Sequence, residues 1–97
     1  MCFILWCFLG KLSPIKAGNA YTKEELQDLL RFAKANELEV IPLIQTFGHV
    51  EFALKTEPFA NLREVPGSPQ ALCPSNNSSM EFIEELIRQV GFGLIFI

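Results

Sequence analysis

An α/β architecture follows from three features of this 97-residue sequence. A capped amphipathic helix is written into Lys23–Ala35. A continuous apolar run over residues 39–45 follows it after a very short turn, and a second amphipathic helical pattern begins near Ser78. Helix, tight turn and buried strand, in that order, are half of a βαβ unit.

The N-terminal MCFILWCFLGK has an apolar run short enough for a signal-peptide core and too short to span a bilayer. No basic residue precedes the run, and Lys11 lies on the wrong side for a secretory signal. A strand or a plain apolar end is therefore expected there. In Thr22-Lys-Glu-Glu25 the Thr22 hydroxyl can accept from the Glu25 amide while Glu25 reaches back, and Tyr21 and Leu26 are placed as a hydrophobic staple. Leu26, Leu29, Leu30 and Ala33 then share one helical face, and Asn36 tolerates the left-handed conformation that ends many helices.

Residues 39–45, EVIPLIQ, predict a strand buried on both faces of a parallel sheet. Pro42 is an irregularity in it, because proline removes a ladder donor. A short helix is expected within residues 49–55. Residues 58–74 are expected to form a long irregular connection, with Pro58, Pro66, Gly67, Pro69 and Pro74 opposing regular structure. Ser78-Ser-Met-Glu81 predicts a second capping box, leading a helix with Phe82, Ile83, Leu86, Ile87 and Val90 on one face. The terminal GFGLIFI predicts a strand. Two or three strands with two helices leave much apolar strand face open to water, so the middle of the chain reads as a section of something larger.

Composition excludes several roles. Hydrophobic residues at 49% and charged residues at 20% fit a globular chain. A net charge of -3 with scattered lysines and arginines gives no stripe for nucleic acid or anionic lipid. Cys2, Cys7 and Cys73 are odd in number and contain no Cys-x-x-Cys, which argues against a disulfide framework and a zinc site. Free thiols fit a reducing compartment, and Cys73 reads as a small apolar filler. The overlapping sequons in Asn76-Asn77-Ser78-Ser79 matter only in a secreted chain.

The chain's single histidine, His49, follows the apolar run in QTFGHVEF, with Glu51 two residues on. Taken alone, His49 is either an active-site residue or a surface histidine in a turn. Glu51 either lines a site or faces solvent in a first helical turn, where the dipole favours a carboxylate. Gln45 faces a site in one strand register and not in the next. Phe47 and Phe52 either line a site or belong to a core. A metal pair from His49 and Glu51 has no third ligand.

The order AYTKEELQDLLRFAKANELEVIPLIQTFGH resembles family-20 glycoside hydrolases, the β-N-acetylhexosaminidases, where one helix runs into the next barrel strand. The usual family ending is close to V-I-P-E-I-D-x-P-G-H. Val40, Ile41, Pro42, Gly48 and His49 agree with it, while Leu43, Gln45 and Phe47 replace Glu, Asp and Pro. QTFGH followed by EF and then LREV is similar to one branch of that family. The resemblance covers residues 19–90, leaving 1–18 and 91–97 as unmatched apolar segments.

The resemblance implies a (β/α)8 TIM barrel, of which this chain would hold about two βα units. It places Gln45, His49 and Glu51 after the C-terminal end of a barrel strand, facing the active site. There His49 is a residue that orients the catalytic acid, and Gln45 and Glu51 are substrate-binding candidates. In the implied mechanism the substrate's 2-acetamido oxygen attacks the anomeric carbon, one carboxylate orients that group, and the next residue, a Glu, protonates the leaving oxygen. That pair would follow the helix ending near Val90. Glu85 is the last acidic residue here, so the catalytic pair is absent from this chain and none of its residues is assigned as the catalyst.

The resemblance further implies a parent enzyme acting on terminal β-linked N-acetyl-D-hexosamine in glycoconjugates, with N-acetylgalactosamine favoured. It implies no metal or organic cofactor, and a cytoplasmic and nuclear location. The alternative is a non-catalytic interaction fragment that binds a partner or itself through its exposed apolar segments. Neither reading calls for nucleic acid or a membrane span.

Overall fold

The computed structural model describes residue 8 and residues 10–95, with side chains through Gly91. A 3-10 helix at Gly10–Ile15 is followed by α1 (Lys23–Ala35), α2 (Glu51–Leu54) and a second 3-10 helix at Glu57–Leu62. The hairpin β1 (Arg63–Val65) and β2 (Ser68–Leu72) comes next, then α3 (Asn77–Ile95). The N-terminal strand expected before Gly10 lies outside the described residues, Phe8 excepted.

Helix α1 begins as its capping box predicts. The Thr22 amide donates to Glu25 Oε2 at 2.7 Å, and the Glu25 amide donates to Thr22 Oγ1 at 3.2 Å. Its C-terminus differs in one residue from expectation. Glu37, at φ 58°, takes the left-handed position, while Asn36 stays at φ -96° and uses its Nδ2 to cap the Phe32 carbonyl. The Leu38 amide reaches Ala33 O and the Glu37 amide reaches Lys34 O, which closes a Schellman motif. Local signals thus define the helix fully, yet α1 buries none of its residues.

The core lies elsewhere. Leu12 and Ile15, three apart and therefore on one side of a 3-10 turn, pack with Val50, Ala53 and Leu54 around α2. Leu62 and Leu72 close it from the hairpin side, and Phe82, Leu86 and Val90 from α3. Phe59 tilts against Phe82 with ring centroids 5.0 Å apart, within the range where aromatic pairs attract. The expected face of α3 is thus buried at Phe82, Leu86 and Val90, while Ile83 is half-buried and Ile87 exposed.

Four expectations are corrected. Residues 39–45 form no strand: the backbone passes from Leu38 to Thr46 without turn or bend and without a ladder partner. A buried parallel strand needs neighbours on both edges, and among the described residues none reaches this segment. Residues 91–95 continue α3 rather than starting a strand. With no strand to pair with, a helix satisfies their backbone groups internally, at a cost of about 1 kcal/mol for each glycine. Residues 58–74 are largely regular, because Pro58 fits the first turn of a 3-10 helix and Pro66-Gly67 makes a two-residue turn between β1 and β2. Ser78 is not the cap of α3. Asn76 precedes the helix, and its Oδ1 accepts from the Ser78 amide at 3.0 Å while its Nδ2 donates to Asn61 O.

The strands pair antiparallel, with Arg63 opposite Leu72, Val65 opposite Ser68 and an irregularity between. The parallel pairing of a βαβ unit is not formed among the described residues.

Candidate functional site

The turn that carries His49 is held against the hairpin. The Leu72 amide donates to Phe47 O at 2.9 Å, the Val50 amide donates to Gln70 O at 3.2 Å, and Gly48 bridges Ala71 in antiparallel sense. Residues 47–50 therefore lie against β2 as an outer third segment. Inside that clamp His49 has φ 56°, in the left-handed region that a side chain with a Cβ seldom adopts. Such a conformation costs on the order of 1–3 kcal/mol and persists only when its surroundings impose it. Here two hydrogen bonds flank the residue, and Val50, immediately after it, is fully buried.

Arg63 joins the parts that form the clamp. Its Nε donates to Leu54 O at the end of α2 at 2.9 Å, and its Nη1 donates to Pro66 O in the hairpin turn at 2.9 Å. One half-buried guanidinium thus fixes the hairpin to the helix that follows His49. Sequence reasoning assigned Arg63 no role. Pro66-Gly67 between REV and SPQAL is the signal from which the hairpin could have been found.

Within this frame His49 is exposed, and Gln45 and Glu51 are half-buried. Glu51 opens α2, where the helix dipole favours its charge. No hydrogen bond joins the three side chains among the described residues, so they neighbour one another along the chain without forming a constellation. Phe52 is half-buried and packs against the core, whereas Phe47 is exposed. No group of three histidine, cysteine or acidic side chains among the described residues could hold a metal ion.

A groove of about 540 Å³ lies apart from this turn, between Lys11, Phe59, Asn61, Phe82, Glu85 and Arg88. Neither Gln45, His49 nor Glu51 lines it. On its wall Arg88 Nε donates to Glu85 Oε2 at 2.9 Å, and Gln89 Nε2 donates to Glu85 Oε1 at 2.7 Å. The Arg88 hydrogen bonds first, then that of Gln89, lower the Glu85 pKa to about 2. A general acid needs its pKa moved upward toward neutrality, so Glu85 is tuned in the wrong direction for protonating a leaving group.

The sequence matches the glycosyl hydrolase family 20 catalytic domain over residues 10–92. It is 47% identical over 81 residues to hexosaminidase D of Bos taurus, covering 84% of this chain and 23% of that protein. The human hexosaminidase D is likewise 47% identical over 81 residues, which are 17% of its length. The chain therefore spans less than a quarter of either relative. They belong to the branch that QTFGH, EF and LREV resemble.

Proposed function

The chain belongs to glycosyl hydrolase family 20, and on that premise we propose that it is one section, about two βα units, of a β-N-acetylhexosaminidase barrel. Family-20 catalytic domains are TIM barrels, an architecture of about 250 residues. The parent enzyme hydrolyses terminal β-linked N-acetyl-D-hexosamine from glycoconjugates, with N-acetylgalactosamine preferred, by substrate-assisted retention. The observation that carries this reading is the family match through residues 10–92, which includes the clamped turn at Gly48-His49. Further support comes from the exposed apolar face of residues 38–47, which neighbouring barrel strands would cover.

In the parent, His49 orients the catalytic acid, and Gln45 and Glu51 contact substrate. The family resemblance is what supports a cytoplasmic and nuclear location for the parent. Among the described residues no helix is long and apolar enough to cross a membrane. The 97-residue chain does not itself hydrolyse the substrate. These 97 residues carry no acidic residue after Glu85, and the Arg88 and Gln89 hydrogen bonds lower the Glu85 pKa to about 2, away from the range of a general acid.

Purified chain is to be incubated with fluorogenic N-acetyl-β-galactosaminide and N-acetyl-β-glucosaminide, beside a family-20 hexosaminidase as positive control. Release no faster than the blank is expected. Turnover that copurifies with the chain and disappears in Glu85→Gln would refute the assignment of inactivity.

A further inference from the structure

The strain in the His49 turn falls on the residue least suited to it. Glycine adopts a positive φ at no steric cost, yet the φ of 56° belongs to His49 and not to Gly48 beside it. A Cβ at Gly48 would meet nothing within 4 Å, so neither φ nor crowding calls for a glycine there. The fold thus forces a residue with a Cβ into a conformation that its neighbour would take freely. Backbone strain of this kind clusters where a functional group must be aimed.

A closed ring of chain and hydrogen bonds imposes that conformation. From His49 the backbone runs through α2 to Leu54, whose carbonyl accepts from Arg63 Nε at 2.9 Å. Arg63 opens β1, and β2 returns to the turn. There the Leu72 amide donates to Phe47 O and the Val50 amide to Gln70 O, one bond on either side of His49. Arg63 Nη1 also donates to Pro66 O at 2.9 Å, which fixes the bend of the hairpin. The apolar contacts beneath Val50 and Leu54 hold the same segments together, but apolar attraction has no direction and does not set a dihedral angle.

We propose that Arg63 is a positioning residue for the hydrolysis carried out by the parent. It sets the backbone angle of His49, and with it the direction in which the imidazole is presented. Its hydrogen bonds go to the Leu54 and Pro66 carbonyls and to none of Gln45, His49 or Glu51, so it acts through the turn. The planar fork matters more than the charge, because two acceptors on separate elements are held by donors of fixed mutual geometry. The role in the reaction rests on the reading of His49 as the residue that orients the catalytic acid. The coupling of Arg63 to His49 does not.

Two measurements test it. In the 97-residue chain, the intraresidue cross-relaxation between the His49 amide and Hα protons reports a positive φ, with the α3 amide signals as a check on folding. Arg63→Met and Arg63→Lys should each weaken that signal toward the level of ordinary residues. Should methionine unfold the chain, lysine, which keeps the charge, carries the test. Arg31→Met, which removes the Asp28 pair on α1, should leave the signal unchanged.

For the reaction, the matching 81-residue section of human hexosaminidase D is replaced by that of this chain. Arg63→Met and Arg63→Lys in this chimera should lower kcat about 10- to 100-fold, the scale expected when a group is misplaced by about 1 Å. KM should stay within about threefold, since contacts shared by ground and transition state are untouched. The alkaline limb of the kcat–pH profile, which reports the acid, should be displaced. A merely smaller folded fraction would scale the profile without moving it.

An unchanged His49 signal in both variants, with α3 intact, would overturn the coupling. Activity restored by lysine would show that charge and not the fork is required, and a pH profile scaled but not moved would make Arg63 a structural residue. Either result overturns the proposal. An unsubstituted chimera that folds without activity would overturn the reading of the parent, and the role in the reaction with it, while the His49 signal still decides the coupling.

Discussion

Replacing Arg63 with methionine tests whether the hairpin holds the His49 turn. The substitution keeps the length and apolar stem of the side chain and removes both of its hydrogen bonds, to Leu54 O and to Pro66 O. A hydrogen bond to a charged group contributes about 1.5–3 kcal/mol when shielded from water, and about 0.5–1 kcal/mol is reasonable for the exposed one. The hairpin should therefore lose roughly 2–4 kcal/mol of local stability. Because β2 holds residues 47–50 through the Leu72 and Val50 amides, that loss should appear at those two amides, which become reporters for the turn. Native-state hydrogen exchange would then speed up at both by about 30- to 1,000-fold. Amides inside α3, which Arg63 does not touch, should change only as far as global stability does. If Val50 and Leu72 keep their protection relative to α3, the turn is held by the core beneath Val50 and the clamp argument is wrong.

Three further outcomes follow from the same structure. Ser79 Oγ is fully buried and has no hydrogen-bond partner among the described residues, so Ser79→Ala removes an unpaid desolvation and improves helix propensity. Urea unfolding should show a gain of about 1–2 kcal/mol, and a loss would reveal a partner for the hydroxyl. Leu54 is fully buried at the centre of the core, and Leu54→Ala should cost about 2–5 kcal/mol, a large part of the ~5–15 kcal/mol available to a domain of this size. A thermal midpoint that moves by less than about 5 °C would contradict that placement. Glu85 titrates at about 2 in the folded chain against 4.5 for the free carboxyl, so the stability it contributes is complete above pH 4.5 and is lost as pH falls toward 2. Arg88→Met should return the Glu85 carboxyl resonance midpoint toward 4.5 and flatten the acid limb between those values. An unchanged midpoint would show that Arg88 is not the cause.

Much of the molecule is legible locally. The capping box at Thr22 and Glu25, the periodic face of α1 and the apolar positions Phe82, Leu86 and Val90 depend on groups three or four residues apart. Such contacts form within one element and are written directly in the sequence. The pattern QTFGH likewise marked the neighbourhood of the clamped turn, because a glycine and a histidine after an apolar run stay adjacent whatever the rest of the chain does. The hairpin was obscured by weighing five prolines and glycines as breakers, when Pro66-Gly67 was itself the turn that allowed β1 and β2 to pair.

The sequence by itself determined the family and the start and end of α1. Tertiary structure alone decided that residues 39–45 carry no ladder, that residues 91–95 are helical, and that His49 sits at a left-handed φ beneath the hairpin. The physical reason is the range of the interactions. A helix completes its hydrogen bonds within its own few turns, whereas a strand has no partner for its backbone until another part of the chain lies alongside. The apolar run 39–45 is strand-like in composition, but composition does not provide an edge to pair with, and among the described residues none is alongside it.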